Sequence, residues 1–355
     1  MLALGIVDAV PTMPAVSGRP PAVAGSLQPL RWFSAADVVA SMPPVEERLR
    51  LAELTMTALA SPGTSDLPSK IGVHPRPKDS FAHAMPAHLR GPTGRDDLVG
   101  MKWVSGFGTN GALGLPAINA VVVLNDPETG VPAAILDGAP ITAERTAAVT
   151  GVALRHYAPA PARAAEVALI GAGVQARAHL RVLGHVLPGS TVHVFDRHED
   201  RAAVLADAAR ATDGIAGAVV HRDARDAVAT ANVVVTVASF TSADRRQPMT
   251  NDWLQPDATV VPVDYATYCA AEVARSAALF LVDHRDQFLA NREAGNFDGY
   301  PDPMAMLGEA ILTGTPRPAG RVVVTHLGVG LADLVFANAI VRTATEARRG
   351  TTLPR

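Results

Sequence analysis

The sequence predicts an α/β protein, a Rossmann-type doubly wound parallel sheet joined to an α+β half, and three observations carry that expectation. Val167 to Ile170, then Gly171-Ala-Gly-Val-Gln-Ala176, then Ala- and Leu-rich sequence read as a buried strand, a glycine turn and a helix. After it, short apolar runs alternate with helical patterns, as in parallel sheets. Before it, runs at 98–104 and 117–124 and a returning run at 131–136, around the turn Asn125-Asp-Pro-Glu-Thr-Gly130, carry the pattern of antiparallel pairing.

Composition narrows the field. A chain of 355 residues with 48% hydrophobic and 18% charged content is a folded protein with room for two cores. A net charge of −3 offers no basic field, which argues against nucleic acid as a partner. The single cysteine, Cys269, excludes an intramolecular disulfide and fits a reducing cytoplasm. The eleven histidines form no H-E-x-x-H and have no cysteine partners, so a metal is not expected. No apolar run reaches membrane-spanning length. Met1 to Leu30, rich in Pro, Ala and Val, has Asp8 and no basic residue ahead of its apolar part. It reads as an extension rather than a secretory signal.

In chain order, Ser34 is the expected N-cap of a helix from Ala35, and Pro44 opens a longer helix reaching about Leu59. The Pro-rich stretch 61–92 holds extended pieces near 70–73 and 83–85. After the antiparallel strands, Thr142 is the expected cap of an Ala-rich helix to Tyr157, and 159–163 form a linker. The parallel sheet takes 167–170, 191–195, 217–221, 233–237, 259–263 and 279–282, with 322–325 closing it. A helix over 332–347 then crosses back to the first half. The expected division is an extension (1–30), one domain from 31–158 with 325–355, and a nucleotide-binding domain (159–324).

The glycine turn has a chemical reading. Gly171 makes the tight turn, Gly173 lets the main chain approach a pyrophosphate, and small Ala176 lets helix and strand touch. Ala172, Val174 and Gln175 complete the turn, whose free N–H groups receive the diphosphate. Asp196 ends the next strand about 20 residues on, where an acid bonds an adenosine ribose hydroxyl. A carboxylate there favours NAD, and neighbouring Arg197 leaves NADP open.

In such sheets ligands lie beyond the carboxyl ends of the strands. Asp264, after 259–263, and Asp283, after 279–282, both qualify, either as proton-transfer groups in a cleft or as caps, and position does not choose between them. Lys102 interrupts an apolar strand, where a lysine needs a partner, a ligand or a route to water. Arg145, in the first turn of a helix capped by Thr142, would bind a carboxylate together with the helix start, or else point into solvent. Lys70 and His83 are weaker candidates on the residues alone.

From about Trp32 to the C-terminus the chain resembles the ornithine cyclodeaminase/mu-crystallin family. The resemblance rests on Met101-Lys-Trp-Val-Ser-Gly, Val123-Leu-Asn-Asp-Pro-Glu-Thr-Gly, Ile141-Thr-Ala-Glu-Arg-Thr-Ala-Ala-Val and Leu169-Ile-Gly-Ala-Gly-Val-Gln-Ala. It implies a substrate and dimerisation domain completed by the last helix, a homodimer, and hydride exchange at the α-carbon of an amino or imino acid. It also implies that Lys102 and Arg145 hold the substrate carboxylate with Lys70 assisting, and that Asp264 rather than Asp283 handles protons at the substrate nitrogen. Two departures argue against cyclodeaminase activity. His83 stands before Ala-Met-Pro86 where cyclodeaminases resemble one another in carrying an acid, and Asp264-Tyr-Ala-Thr-Tyr-Cys replaces a Gly-rich, Lys-containing stretch. An imidazole does not receive an ornithine ammonium as a carboxylate does. The ending Gly350-Thr-Thr-Leu and the Ala-Met-Pro segment look more like the branch that interconverts amino acids and imines. The expectation is an NAD(P)-dependent oxidoreductase acting on an α-imino acid. A cyclodeaminase-type lyase with tightly bound NAD and a non-catalytic mu-crystallin-like binding protein are the alternatives.

Overall fold

The computed structural model describes residues 29–78, 80–160, 165–241 and 243–355, so the expected extension over 1–28 and residues 161–163 of the expected linker lie outside the described residues. The first half opens with β1 (Leu30–Phe33), a strand where the sequence predicted the tail of an extension and then helical pattern. Its partners explain the miss: β1 pairs with strands formed far away in the chain. Ser34 caps α1 (Ala35–Ala40) as expected, through a reciprocal box with Asp37. Then come α2 (Val45–Ala60), β2 (Ser65–Asp66), β3 (Ile71–Val73), β4 (Phe81–Leu89), β5 (Leu98–Gly106), β6 (Ile118–Asn125) and β7 (Pro132–Asp137).

The next helix corrects the sequence reading. α3 runs Gly138–Tyr157, and its cap is Asp137, whose carboxylate accepts the Ala139 N–H at 3.0 Å. Thr142 lies a turn inside and spends its hydroxyl on the Gly138 carbonyl at 2.8 Å. Pro140 sits in the first turn, where its missing N–H costs no helical bond, and the cap at Asp137 rather than Thr142 starts the helix five residues earlier than expected.

The second half is β8 (Glu166–Ile170), α4 (Val174–Val186), β9 (Ser190–Phe195), α5 (Glu199–Arg210), β10 (Ile215–Val220), α6 (Ala224–Val228), β11 (Val233–Thr236), β12 (Thr259–Pro262), α7 (Ala271–Arg275), β13 (Leu279–Val282), α8 (Arg285–Glu293), β14 (Ala305–Met306), α9 (Leu307–Leu312) and β15 (Val322–Thr325). The chain ends with α10 (Gly330–Glu346) and β16 (Thr351–Leu353).

Two sheets result. One has the order β16-β1-β7-β6-β5-β4-β2, with β3 also on β4, and the other is parallel with the order β10-β9-β8-β11-β12-β15-β13-β14. The strand at 322–325 therefore inserts between β12 and β13 rather than closing the sheet; the edge is the short β14. The central parallel strands are apolar along their length because helices cover both faces. Chain order reverses between β8 and β11, which places the crevice for a ligand at their carboxyl ends.

α10 packs against β4, β5, β6, α2 and α3, and is buried along its first part, from Gly330 to Ile340 apart from the half-buried Ala339. It returns the chain to the first sheet, where β16 adds to β1. No helix among the described residues is long and apolar enough to cross a membrane.

Candidate active site

The glycine turn lies at the reversal point. Gly171 has φ +105°, and a Cβ there would stand 2.8 Å from the Val237 carbonyl beyond β11. Its N–H donates to the Phe195 carbonyl at 2.8 Å, which ties the ends of β8 and β9 together. Gly171→Ala is therefore expected to lower unfolding free energy by about 2 kcal/mol through backbone strain, measured by urea denaturation. An unchanged midpoint would contradict the need for glycine.

Gly173 heads α4 with open space where a Cβ would be, and no side chain caps this helix. The N–H groups of its first turn are thus free to meet an anion. Val174 is exposed there, Gln175 Oε1 is a buried acceptor with no partner, and Ala176 is packed in the core below. Asp196, just past β9, accepts the Ala172 N–H at 2.8 Å and the His198 N–H at 2.8 Å, which aims its carboxylate at the turn. Arg197 is exposed beside it, against His198.

The cations converge elsewhere at this end of the sheet. Lys102 on β5 is buried with its side chain 2% exposed, and its ammonium lies 2.7 Å from an oxygen of Asp333, itself 0% exposed. Arg145 on α3 reaches the other Asp333 oxygen at 3.1 Å. Arg145 is thus not in the first turn of its helix, and the expected joint binding of an anion by Arg145 and that helix start does not occur. Its guanidinium instead packs on Gly328, where a Cβ would come within 2.4 Å of it. Gly328, at φ +78°, is the residue that lets the loop after β15 lie against this cation.

Two cations on one carboxylate leave a buried positive surplus. Burial pushes the Lys102 ammonium down to about 7; Asp333 opposes that shift, and Arg145 adds to it. Lys102 also stands 3.5 Å from the Thr142 hydroxyl. Lys70, just before β3, crosses to the other half and donates to the Tyr265 hydroxyl and the Leu327 carbonyl, each at 3.0 Å.

Asp264 follows β12 by two residues and is buried. The Thr236 hydroxyl at 2.9 Å and the Ala238 N–H at 3.3 Å donate to its two oxygens. Burial outweighs those donors and raises its carboxyl to about 6, so both protonation states are accessible near neutrality. Next to it Tyr265 and Ala266 hold positive φ of 55° and 57°, a left-handed turn that costs non-glycine residues energy and brings the Tyr265 hydroxyl to the Leu327 carbonyl at 3.0 Å.

Contacts therefore run from Tyr265, the chain neighbour of Asp264, to Lys70 and Leu327, and, one residue on, from Gly328 through Arg145 to Asp333 and Lys102. Asp283, the other strand-end acid, is spent on structure: its oxygens take the N–H of Gly328 and of His284, at 2.8 and 2.9 Å. His83 sits opposite Val104 while Met85 sits opposite Lys102, so His83 shares the Lys102 face of the sheet. Its ring stacks on Phe81 at 4.6 Å, and burial, then the charge of Lys70, push it down to about 4, leaving it neutral.

Asp333, Tyr265 and Gly328 were not singled out from the sequence. Asp333 had a signal, an acid inside the apolar run Gly330-Leu-Ala-Asp-Leu-Val-Phe, which calls for a buried partner.

The sequence matches the ornithine cyclodeaminase/mu-crystallin family profile over residues 35–345. It is 32% identical over 331 residues to the nodulation efficiency protein NfeD of Rhizobium meliloti, covering 92% of this chain and 98% of that one. It is 31% identical over 335 residues to a Δ1-pyrroline-2-carboxylate/Δ1-piperideine-2-carboxylate reductase of Azospirillum brasilense, covering 91% and 99%. Among solved structures, it superposes on the Thermococcus litoralis Δ1-pyrroline-2-carboxylate reductase in complex with NADH and L-proline with a TM-score of 0.77 at 23% identity, covering 91% of this chain and 100% of that one.

Proposed function

The chain belongs to the ornithine cyclodeaminase/mu-crystallin family, and from that premise we propose that it is an NAD(P)-dependent oxidoreductase interconverting an α-imino acid and its amine partner. The observation that carries the reading is the buried surplus of positive charge at Lys102 and Arg145, together with a buried carboxyl poised near 6 at Asp264, next in the chain to the Tyr265 that bonds Lys70. An excess cation in a dry site is costly unless a ligand anion completes it. A carboxylate bound to Lys102 and Arg145, with Lys70 alongside, supplies that anion.

The turn fits a dinucleotide. The N–H groups of the α4 first turn receive the diphosphate, the open space at Gly173 admits it, and Asp196 takes a ribose hydroxyl. A carboxylate there repels a 2′-phosphate, so NAD is preferred to NADP. Bound there, nicotinamide supplies or accepts the hydride. The protein's work is to orient the substrate by its carboxylate and to move one proton. In reduction, protonated Asp264 gives its proton to the imine nitrogen as the carbon gains hydride; in oxidation, ionised Asp264 takes the proton back. Neutral His83 offers no counter-charge for an ornithine ammonium, which supports imine chemistry over cyclodeamination. The division into 31–158 with 325–355 and 159–324 belongs to the same reading, with α10 carrying Asp333 back to the cations.

The test is absorbance at the nicotinamide band during incubation with NADH and cyclic or open-chain α-imino carboxylates. The pH dependence has a defined sign. Reduction needs Asp264 protonated and Lys102 charged, so kcat/KM should fall as pH rises through about 6 and about 7. Oxidation needs Asp264 ionised and Lys102 charged, so its optimum should lie between those two values. Reduction that stays flat to pH 9 would contradict both roles. Ammonia release without net absorbance change would point to the lyase, and saturable binding without turnover to a binding protein.

A further inference from the structure

Behind the cations lies a chain of buried polar groups that the reaction above does not use. Thr150 on α3 stands 2.9 Å from His179 Nε2 on α4 and 2.9 Å from His326 Nε2, and His179 Nδ1 lies 2.7 Å from the Gln175 carbonyl. All three side chains are buried, and His326 is 2% exposed.

The donors in this chain are fixed by elimination. A carbonyl only accepts, so His179 Nδ1 carries a hydrogen. Burial pushes His179 down to about 4, so near neutrality its Nε2 is bare and must receive the Thr150 hydroxyl hydrogen. Thr150 has then no hydrogen left for His326, whose Nε2 must donate to the Thr150 oxygen. Burial likewise holds His326 neutral, down to about 3, so its Nδ1 is a bare lone pair. Among the described residues nothing donates to that atom, and it is not one of the side-chain atoms sealed in the core without a partner, so it stays open to a donor from a ligand.

The ring's place in the fold gives the lone pair a use. His326 directly follows β15, beside the strand that delivers Asp264. The next two residues are Leu327, whose carbonyl holds Lys70 and Tyr265, and Gly328, which lies against Arg145. We infer that His326 is a binding residue that offers its Nδ1 lone pair to an N–H of the bound reactants, with Thr150 and His179 as positioning residues that fix its tautomer. This rests on the function proposed above. The N–H belongs either to the substrate nitrogen or to the nicotinamide carboxamide. The chain also joins the substrate side to the first turn of α4, since its far end is the Gln175 carbonyl.

The experiment combines 15N-histidine NMR of the wild type with His326→Leu, which removes the acceptor, and His326→Asn, whose amide oxygen restores one. The wild-type spectrum should show His326 as the Nε2–H tautomer, with Nδ1 moving when NADH or an imino acid is added. In His326→Leu, loss of the bond should cost about tenfold in binding, with partial recovery in His326→Asn. A weaker Kd for NADH that vanishes with the 3-acetylpyridine analogue, which lacks the amide N–H, assigns the carboxamide. An unchanged NADH Kd with KM for the imino acid raised about tenfold assigns the substrate nitrogen. A folded His326→Leu with Kd and KM both within about twofold of wild type overturns the inference, as does a spectrum with the hydrogen on Nδ1. If His326→Leu does not fold, the wild-type spectrum decides, and Thr150→Val should blur the tautomer it reports. A wild type that binds no NADH sinks the parent reading instead, whereas normal wild-type turnover with an indifferent His326→Leu sinks this inference alone.

Discussion

Asp264→Asn is expected to lower kcat by on the order of 10³ while leaving NADH affinity within about twofold. The amide is nearly isosteric with the carboxyl, and its surroundings can accommodate it. Its oxygen can take the Ala238 N–H, and the Thr236 hydroxyl can turn to accept the new NH2. What is lost is the ability to give or take a proton near pH 6, the value to which burial lifts the carboxyl. The measurements are single-turnover rates, fluorescence titration with NADH and a thermal midpoint. Undiminished turnover in the folded variant would remove Asp264 from the chemistry.

Asp333→Asn is expected to lower unfolding free energy by about 3–5 kcal/mol, the cost of leaving buried charges without their partner. Asp333 is the carboxylate that both Lys102 and Arg145 contact, and all three groups are buried. The loss should also depend on pH. Lys102 already titrates near 7 because burial depresses it, and without Asp333 it falls further. Where both proteins carry neutral Lys102, above about 7, the lysine contributes nothing to the difference and only Arg145 does. Below that value wild type keeps the charge that the variant expels at a cost. Urea unfolding should therefore show a larger loss at pH 6 than at pH 8. A loss under about 1 kcal/mol at both values would mean that the cations need no carboxylate here.

What could be read from the sequence was what local rules govern. The glycine turn needs a backbone only glycine adopts at Gly171, and a strand-end acid at Asp196 follows from the same unit. Lys102 stood out because lysine is seldom buried alone, and the structure supplies its partner. The helix containing Arg145 was misread because Thr142 is as good a cap as Asp137 by composition; only the strand feeding directly into Gly138 distinguishes them. Asp333, the Tyr265 contact with Leu327, and the Thr150 bridge between His179 and His326 join residues far apart in the chain. No periodicity records such pairs. The order of β15 between β12 and β13 is likewise a matter of which apolar strand finds the interior position, and the runs at 279–282 and 322–325 are equally suited to it.

The most direct measurement is the fate of deuterium from the C4 position of labelled NADH during turnover with an α-imino carboxylate, followed by mass spectrometry and proton NMR of the product. The expected result is one deuterium at the α-carbon of the amino acid formed, with one nicotinamide oxidised per product. Product formed without label at that carbon, or no oxidation of NADH with any imino acid at pH 6, would contradict it.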